Sequence, residues 1–85
     1  MNIPKEQVKK DLIHGWSVIR HKDIKVFIDE TNTYILLDWE DDVVLKFTVA
    51  DHSINILKAS WDSKFNIDIS SKVLLVMNEP EDEEE

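Results

Sequence analysis

The segment LDWEDDVVL, residues 37–45, sets four carboxylates around one tryptophan between two apolar runs. Its polar part reads Asp38, Trp39, Glu40, Asp41, Asp42. Such a segment could bind a divalent cation, attract a basic partner, or form a hairpin turn. A cation-binding loop needs more oxygen ligands and usually a glycine at its sharp bend, and this segment has no glycine. Asp is an ordinary turn residue because its side chain accepts hydrogen bonds from nearby backbone N–H groups, so we predict a turn and no metal site.

The other chemistry-bearing residues form no catalytic pattern. The acid-x-Lys triplets at residues 23–25 and 62–64 match half of a metal-nuclease signature, but a chain with 33% charged residues produces such short matches by chance. The three histidines lie far apart, unlike metal-binding pairs. No nucleophile–base motif or phosphate-binding glycine loop is present. We predict no cofactor, no metal and no catalysis, and we keep a metal-dependent nuclease using Asp23, Asp38 and Asp62 as a distant alternative.

The formal net charge of −8 is distributed unevenly. Residues 1–78 hold ten Lys and Arg against twelve Asp and Glu, so this part carries −2. The rest of the charge lies in six carboxylates without a base: Glu79, Glu81, Asp82, Glu83, Glu84 and Glu85. This segment would repel a phosphate backbone, so direct nucleic-acid binding is disfavoured. We predict that residues 79–85 form a disordered acidic tail, which either only aids solubility or attracts a basic protein surface.

Length and composition indicate one small domain, which we place at residues 1–78. The sequence has no cysteine, which fits a reducing compartment. Its N-terminus, MNIPKEQVKK, lacks the apolar stretch of a signal peptide. The longest apolar run, VLLVM at residues 73–77, is too short to cross a bilayer. We therefore predict a cytoplasmic protein that does not bind membranes.

A helix is predicted over residues 4–14. Pro4 suits a first helical turn, and Val8 and Leu12 form a narrow apolar stripe at helical spacing. Gly15, the only glycine in the chain, follows where a left-handed C-terminal cap would lie. This helix makes the predicted fold class α+β: an N-terminal helix followed by an antiparallel β-meander, as a small sheet or half-barrel.

After Gly15 the apolar period changes to two, which is typical of strands. Four segments alternate or are rich in β-branched residues, and turn formers separate them: residues 24–28, 34–39, 43–49 and 65–69. Residues 73–77 are apolar without alternation, so we expect either a central strand or one that a partner covers. Residues 51–62 fit either a helix or a strand. One face of a helix would collect apolar residues, whereas the alternation of Ile54 and Ile56 is typical of a strand, which we prefer.

Charge and hydrophobicity predict the register of two hairpins. The first has a loop at residues 30–33, which places Lys25 opposite Asp38 as a favourable pair of charges. The second has a loop at residues 40–42, because that register sends Trp39 inward and leaves three carboxylates on an exposed tip. One face is then wholly apolar and is predicted to be the core face: Ile24, Val26, Ile28, Ile35, Leu37 and Trp39.

The opposite face of this sheet is predicted to be covered, because a face left to water would be more polar. Either the N-terminal helix covers it, through residues 8, 12 and 16, or a second copy or another protein does. Together with the acidic loop and tail, this face supplies the candidate partner-binding residues: Phe27, Tyr34, Leu36, Val44, Glu40, Asp41, Asp42, Glu79, Glu81, Asp82, Glu83, Glu84 and Glu85.

Small size, acidity and the lack of a catalytic motif together favour a protein-binding module. We expect an inhibitor or accessory factor acting on a partner with a basic surface, including the groove of a nucleic-acid-binding protein. The alternative is a homo-oligomeric assembly subunit, such as a homodimer, held by the second sheet face and the VLLVM strand.

Overall fold

The computed structural model describes residues 6–7 and 12–80, which form two four-stranded β-sheets. The strands are β1 (Glu6–Gln7), β2 (Ser17–Arg20), β3 (Lys25–Ile28), β4 (Tyr34–Leu37), β5 (Val43–Ala50), β6 (Ser53–Ala59), β7 (Phe65–Asp68) and β8 (Val73–Val76). Sheet I has the order β1-β2-β8-β7, and sheet II has the order β3-β4-β5-β6. Within the described part of the chain, no helix is long and apolar enough to cross a bilayer.

The predicted α+β class is wrong, because the described chain is almost entirely β and has no N-terminal helix. Glu6–Gln7 pair with β2, and Ile13–Gly15 form a single 3₁₀ turn. Residues 4–5 and 8–11 of the predicted helix, including Pro4 and Val8, lie outside the described residues. Leu12 and Trp16 are instead part of the core between the sheets, so burial in the tertiary fold overrides a weak helical stripe. Gly15 does adopt the expected left-handed conformation, with φ of 80°.

Sheet II is the predicted antiparallel meander. Its four strands follow one another along the chain, and each neighbouring pair is antiparallel. Within residues 51–62, which fit a helix or a strand, residues 53–59 form strand β6, so the preferred alternative is confirmed. Sheet I differs, because β2 and β8 pair in parallel while its other two pairs are antiparallel. The VLLVM strand, β8, is central in sheet I, as predicted, with Leu74 and Val76 buried and Val73 and Leu75 only half-buried.

The predicted hairpin registers are wrong, by two residues next to the second loop, where Leu37 pairs with Val43 rather than with Leu45, and by one residue in the first hairpin. Val26 pairs with Leu36, so the first loop spans residues 29–33 rather than 30–33. This shift exchanges the two faces of β4, because side chains alternate along a strand. Leu36 is therefore in the core, whereas Ile35 and Leu37 lie on the outer face of sheet II.

The core lies between the two sheets. Sheet I contributes Val18, Leu74 and Val76, and sheet II contributes mainly Tyr34, Leu36, Val44, Leu45, Phe47 and Val49. Leu36 pairs with Leu45 while Leu37 pairs with Val43, so Val44 is an extra residue that forms a β-bulge. The bulge explains why two consecutive residues, Val44 and Leu45, are both buried. Trp16 is fully buried, and its indole Nε1–H donates to the Ala50 carbonyl at 2.9 Å.

Candidate protein-binding site

Three segments that are distant in sequence meet at one end of the sandwich: residues 38–42, 60–64 and 77–80. Hydrogen bonds join residues 60–64 to strand β5 and to residues 77–80, and residues 38–42 line the same cleft. The Ser60 N–H donates to the Val44 carbonyl at 3.0 Å, and the Met77 N–H donates to the Lys64 carbonyl at 2.7 Å. The Asn78 side chain accepts from the Lys64 N–H at 2.7 Å and donates to the Asp62 carbonyl at 3.1 Å. We call these three segments the acidic end.

The LDWEDDVVL segment is a hairpin turn, as predicted, but its loop spans residues 38–42 rather than 40–42, and Asp38 organises it. The Asp38 Oδ1 accepts the N–H groups of Glu40 at 2.8 Å and Asp42 at 3.0 Å. The left-handed conformation of Asp41, with φ of 66°, closes the turn. Glu40, Asp41 and Asp42 are exposed. Lys25 forms its ion pair with Asp41 and not with Asp38, because the loop is longer than predicted.

Among the described residues, no group of three or more His, Asp or Glu side chains could hold a metal ion. The three carboxylates named for a nuclease, Asp23, Asp38 and Asp62, accordingly form no such group. Asp38 and Asp62 have local structural roles instead. Asp38 caps its loop, and Asp62 Oδ1 accepts the Ser60 hydroxyl at 2.8 Å.

The prediction that Trp39 is buried is wrong. Its partner in the predicted register, Val43, pairs with Leu37 instead, which leaves Trp39 inside the loop rather than at the end of a strand. The residue is 36% exposed and forms a wall of the cleft that the three segments enclose.

Trp61 is the most exposed large apolar residue in the described chain, at 95%. Its loop is nevertheless held by local hydrogen bonds. The Ser60 carbonyl accepts the Ser63 N–H at 3.1 Å and the Ser63 hydroxyl at 2.8 Å. The indole therefore projects from an ordered turn. Trp61 is not among the predicted site residues, although Ser60 and Asp62, both turn-forming residues, flank it and signal the turn.

A cleft of about 540 Å³ separates the three segments. Its lining comprises Trp39, Glu40, Asp62, Lys64, Met77, Asn78 and Glu79. Three carboxylates therefore face one ammonium group, beside an indole and a thioether. Such a surface suits a ligand that is cationic and partly apolar, because indole faces and carboxylates both attract cations.

The other predicted site residues are placed very differently. Tyr34, Leu36 and Val44 are buried in the core, so none is available to a partner on the surface. The Tyr34 ring stacks on Phe47 with centroids 5.4 Å apart. Phe27 is 49% exposed on the outer face of sheet II. Of the carboxylates, Glu40, Asp41, Asp42 and Glu79 belong to the acidic end, while Glu81, Asp82, Glu83, Glu84 and Glu85 lie outside the described residues.

Three carboxyl groups in the loops at the opposite end of the sandwich have lowered pKa values. The Thr31 hydroxyl and the Thr33 and Thr31 N–H groups lower the pKa of Asp29. A hydrogen bond and ion pair with Lys72 lower the pKa of Asp51. The Ser70 hydroxyl and Ser71 lower the pKa of Asp68. Each of the three carboxyl groups makes contacts that organise a loop, so these groups support the fold rather than a reaction.

Comparisons with protein-family models, curated proteins and solved structures find no match to this chain. The geometry of the acidic end is therefore the observation from which we propose a function.

Proposed function

We propose that this chain is a small protein-binding module that docks a basic partner protein through its acidic end. The observation that carries the proposal is the 95% exposure of Trp61 on an ordered loop beside an acidic cleft. One form of this function is an inhibitor or accessory factor that acts on a nucleic-acid-binding protein. Because the sequence has no cysteine, we include a cytosolic location in the proposal.

The apolar residues of the acidic end would supply the affinity. Trp61, Trp39 and Met77 are all exposed there, and tryptophan is enriched among the residues that dominate binding energy at protein interfaces. Because the turn at residues 60–63 is already ordered by hydrogen bonds, little conformational entropy remains to be lost when the indole docks.

The carboxylates around these residues would supply specificity for a basic surface. Glu40, Asp62 and Glu79 line the cleft, and Asp41 and Asp42 extend the negative surface along the neighbouring loop. Opposite charges across an interface accelerate encounter and reject like-charged partners. An arginine or lysine of the partner would also lie favourably against the Trp39 ring.

The homo-oligomer alternative loses part of its support. It depended on an exposed apolar face with Phe27, Tyr34, Leu36 and Val44, of which only Phe27 is on the surface.

Affinity capture from the native host with variants of the full chain would test the proposal. Wild type, Trp61→Ala and the control Ile69→Ala would be compared, because Ile69 is 53% exposed in the β7–β8 turn at the opposite end. We expect a basic protein that wild type and Ile69→Ala retain and Trp61→Ala loses. With that protein purified, Trp61→Ala should weaken binding about thirtyfold or more, as at interface hot spots, and added salt should slow association. Equal retention by both variants, or an acidic partner, would refute the proposal.

A further inference from the structure

The outer face of sheet II carries lysines, although the chain as a whole has a negative net charge. The strand register places two rows of exposed or half-buried side chains next to each other on this face. We call these side chains the lysine face: Lys25, Phe27, Ile35, Leu37, Lys46 and Lys58. Phe27, Ile35, Lys46 and Lys58 form one row across all four strands, and Lys25 pairs with Leu37 in the next. No strand position in these rows holds a carboxylate, although the chain has 18 Asp and Glu against 10 Lys and Arg.

Two carboxylates of the described chain compensate the three lysines of this face only in part: Asp41 pairs with Lys25, and Asp29 interacts electrostatically with Lys46. Lys46 and Lys58 are directly opposite each other, and like charges in cross-strand pairs repel. Apolar side chains lie between the lysines, and Phe27 is 49% exposed, whereas a sheet face left to water is usually more polar. A symmetric dimer through this face would bring the lysines of two copies together, because a two-fold interface joins identical patches. The charge of the face therefore points to an acidic occupant.

The sequence of the chain itself includes such a segment. Glu79 lines the cleft beside Glu40, and the neighbouring Asp41 is paired with Lys25, so the described chain ends near one edge of the lysine face. Residues 81–85 follow, with five carboxylates and no base. Five residues reach about 17 Å when extended. The lysine face spans three strand spacings, about 14 Å from β3 to β6.

We propose that residues 81–85 dock on the lysine face of their own chain. The acidic end repels this segment, and the lysine face is the nearby surface with the opposite charge. A short tether gives an effective concentration of order millimolar, so weak ion pairs suffice in cis where they would fail between separate molecules. The docked segment neutralises the Lys46–Lys58 repulsion and covers Phe27. This inference does not depend on the proposed partner function.

Acetylation of lysine amines, followed by mass spectrometry of the peptides, would test the docking. The full chain would be compared with a variant of equal length whose segment is neutral: Glu81→Gln, Asp82→Asn, Glu83→Gln, Glu84→Gln and Glu85→Gln. Neutralisation should raise the acetylation rates of Lys46 and Lys58 about two- to fivefold, the range expected for exposed ion pairs. Lys72 is the internal control, because it is bound to Asp51 at 3.3 Å at the opposite end.

Two further measurements complete the test. The difference between the proteins should disappear in 1 M salt, where the Debye length is about 3 Å. The rates should also be independent of protein concentration. Equal rates at Lys46 and Lys58 in the two proteins would overturn the proposal, and protection that grows with concentration would assign the segment to a second copy and overturn docking in cis.

Discussion

Single aspartates organise two of the three hairpin loops of sheet II, at residues 29–33 and 38–42, by the same hydrogen bonds. Asp29 Oδ1 accepts the N–H groups two and four positions later, Thr31 at 2.8 Å and Thr33 at 3.0 Å. Asp38 bonds to its own loop in the same way. In both loops the residue three positions after the aspartate, Asn32 or Asp41, is left-handed. A side-chain carboxylate thus replaces the missing cross-strand partners of the backbone N–H groups.

The lowered pKa of Asp29 makes the stability of this loop depend on pH. Because the folded pKa lies below the unfolded value of about 3.9, the contribution is fully present above that pH and is lost as pH falls through the folded pKa. We expect the unfolding free energy to fall with pH below about 4, and to fall less steeply in Asp29→Asn. Urea denaturation at several pH values would measure both slopes. Glu30→Gln, in the same exposed loop, is the control, and an unchanged slope in Asp29→Asn would contradict the assignment.

At the scale of elements, the sequence identifies strands better than it aligns them. Alternation predicts the meander of sheet II, and turn formers mark its loops. The register is wrong because each capped loop is longer than the predicted turn, by one residue in the first hairpin and two in the second. Loop length depends on how Asp29 and Asp38 bond to the backbone, which hydrophobic patterning does not report. Trp39 is misplaced for the same reason.

The left-handed residue of each loop can be tested at Asn32, whose φ is 65°. A β-branched residue there should destabilise the fold by about 1–2 kcal/mol, because its Cβ approaches the following carbonyl in this conformation. We therefore expect Asn32→Val to lower the unfolding free energy and Asn32→Gly to change it by less than about 0.5 kcal/mol. Denaturant titration would measure both, with Glu30→Val in the same loop as the control for added apolar surface. Equal effects of Val and Gly at position 32 would show that the left-handed conformation is not required.

At the scale of the whole molecule, long-range pairing determines what the sequence could not predict. The parallel pairing of β2 with β8 joins Ser17 to Val73, and no local pattern reports a partner so far along the chain. The acidic end has the same origin, since its three segments meet only when both sheets are packed. Acidic residues of the candidate site were predicted from composition, but the exposure of Trp61 follows from the folded loop.

One shared core should make the two sheets unfold together. Leu74 of sheet I is fully buried against sheet II, and removing such a side chain to alanine destabilises proteins by about 2–5 kcal/mol. Small domains have total stabilities of about 5–15 kcal/mol, so Leu74→Ala should shift the whole transition. Far-ultraviolet and near-ultraviolet circular dichroism should report the same midpoint. Leu57→Ala, at a residue 53% exposed, should change stability by less than about 0.5 kcal/mol. Separate midpoints for the two signals would mean that the fold does not unfold in one cooperative transition.

The parallel pairing of β2 with β8 also sets the order in which the chain can fold during synthesis. Strands β3 to β6 are neighbours in sequence and can pair as soon as they leave the ribosome. The central strand of sheet I, β8, emerges much later, so the inner face of sheet II lacks part of its cover until translation is nearly complete. A nascent chain stalled before residue 73 would therefore expose Leu36, Leu45 and Phe47 to water and to chaperones, and the native sandwich would form only after that point.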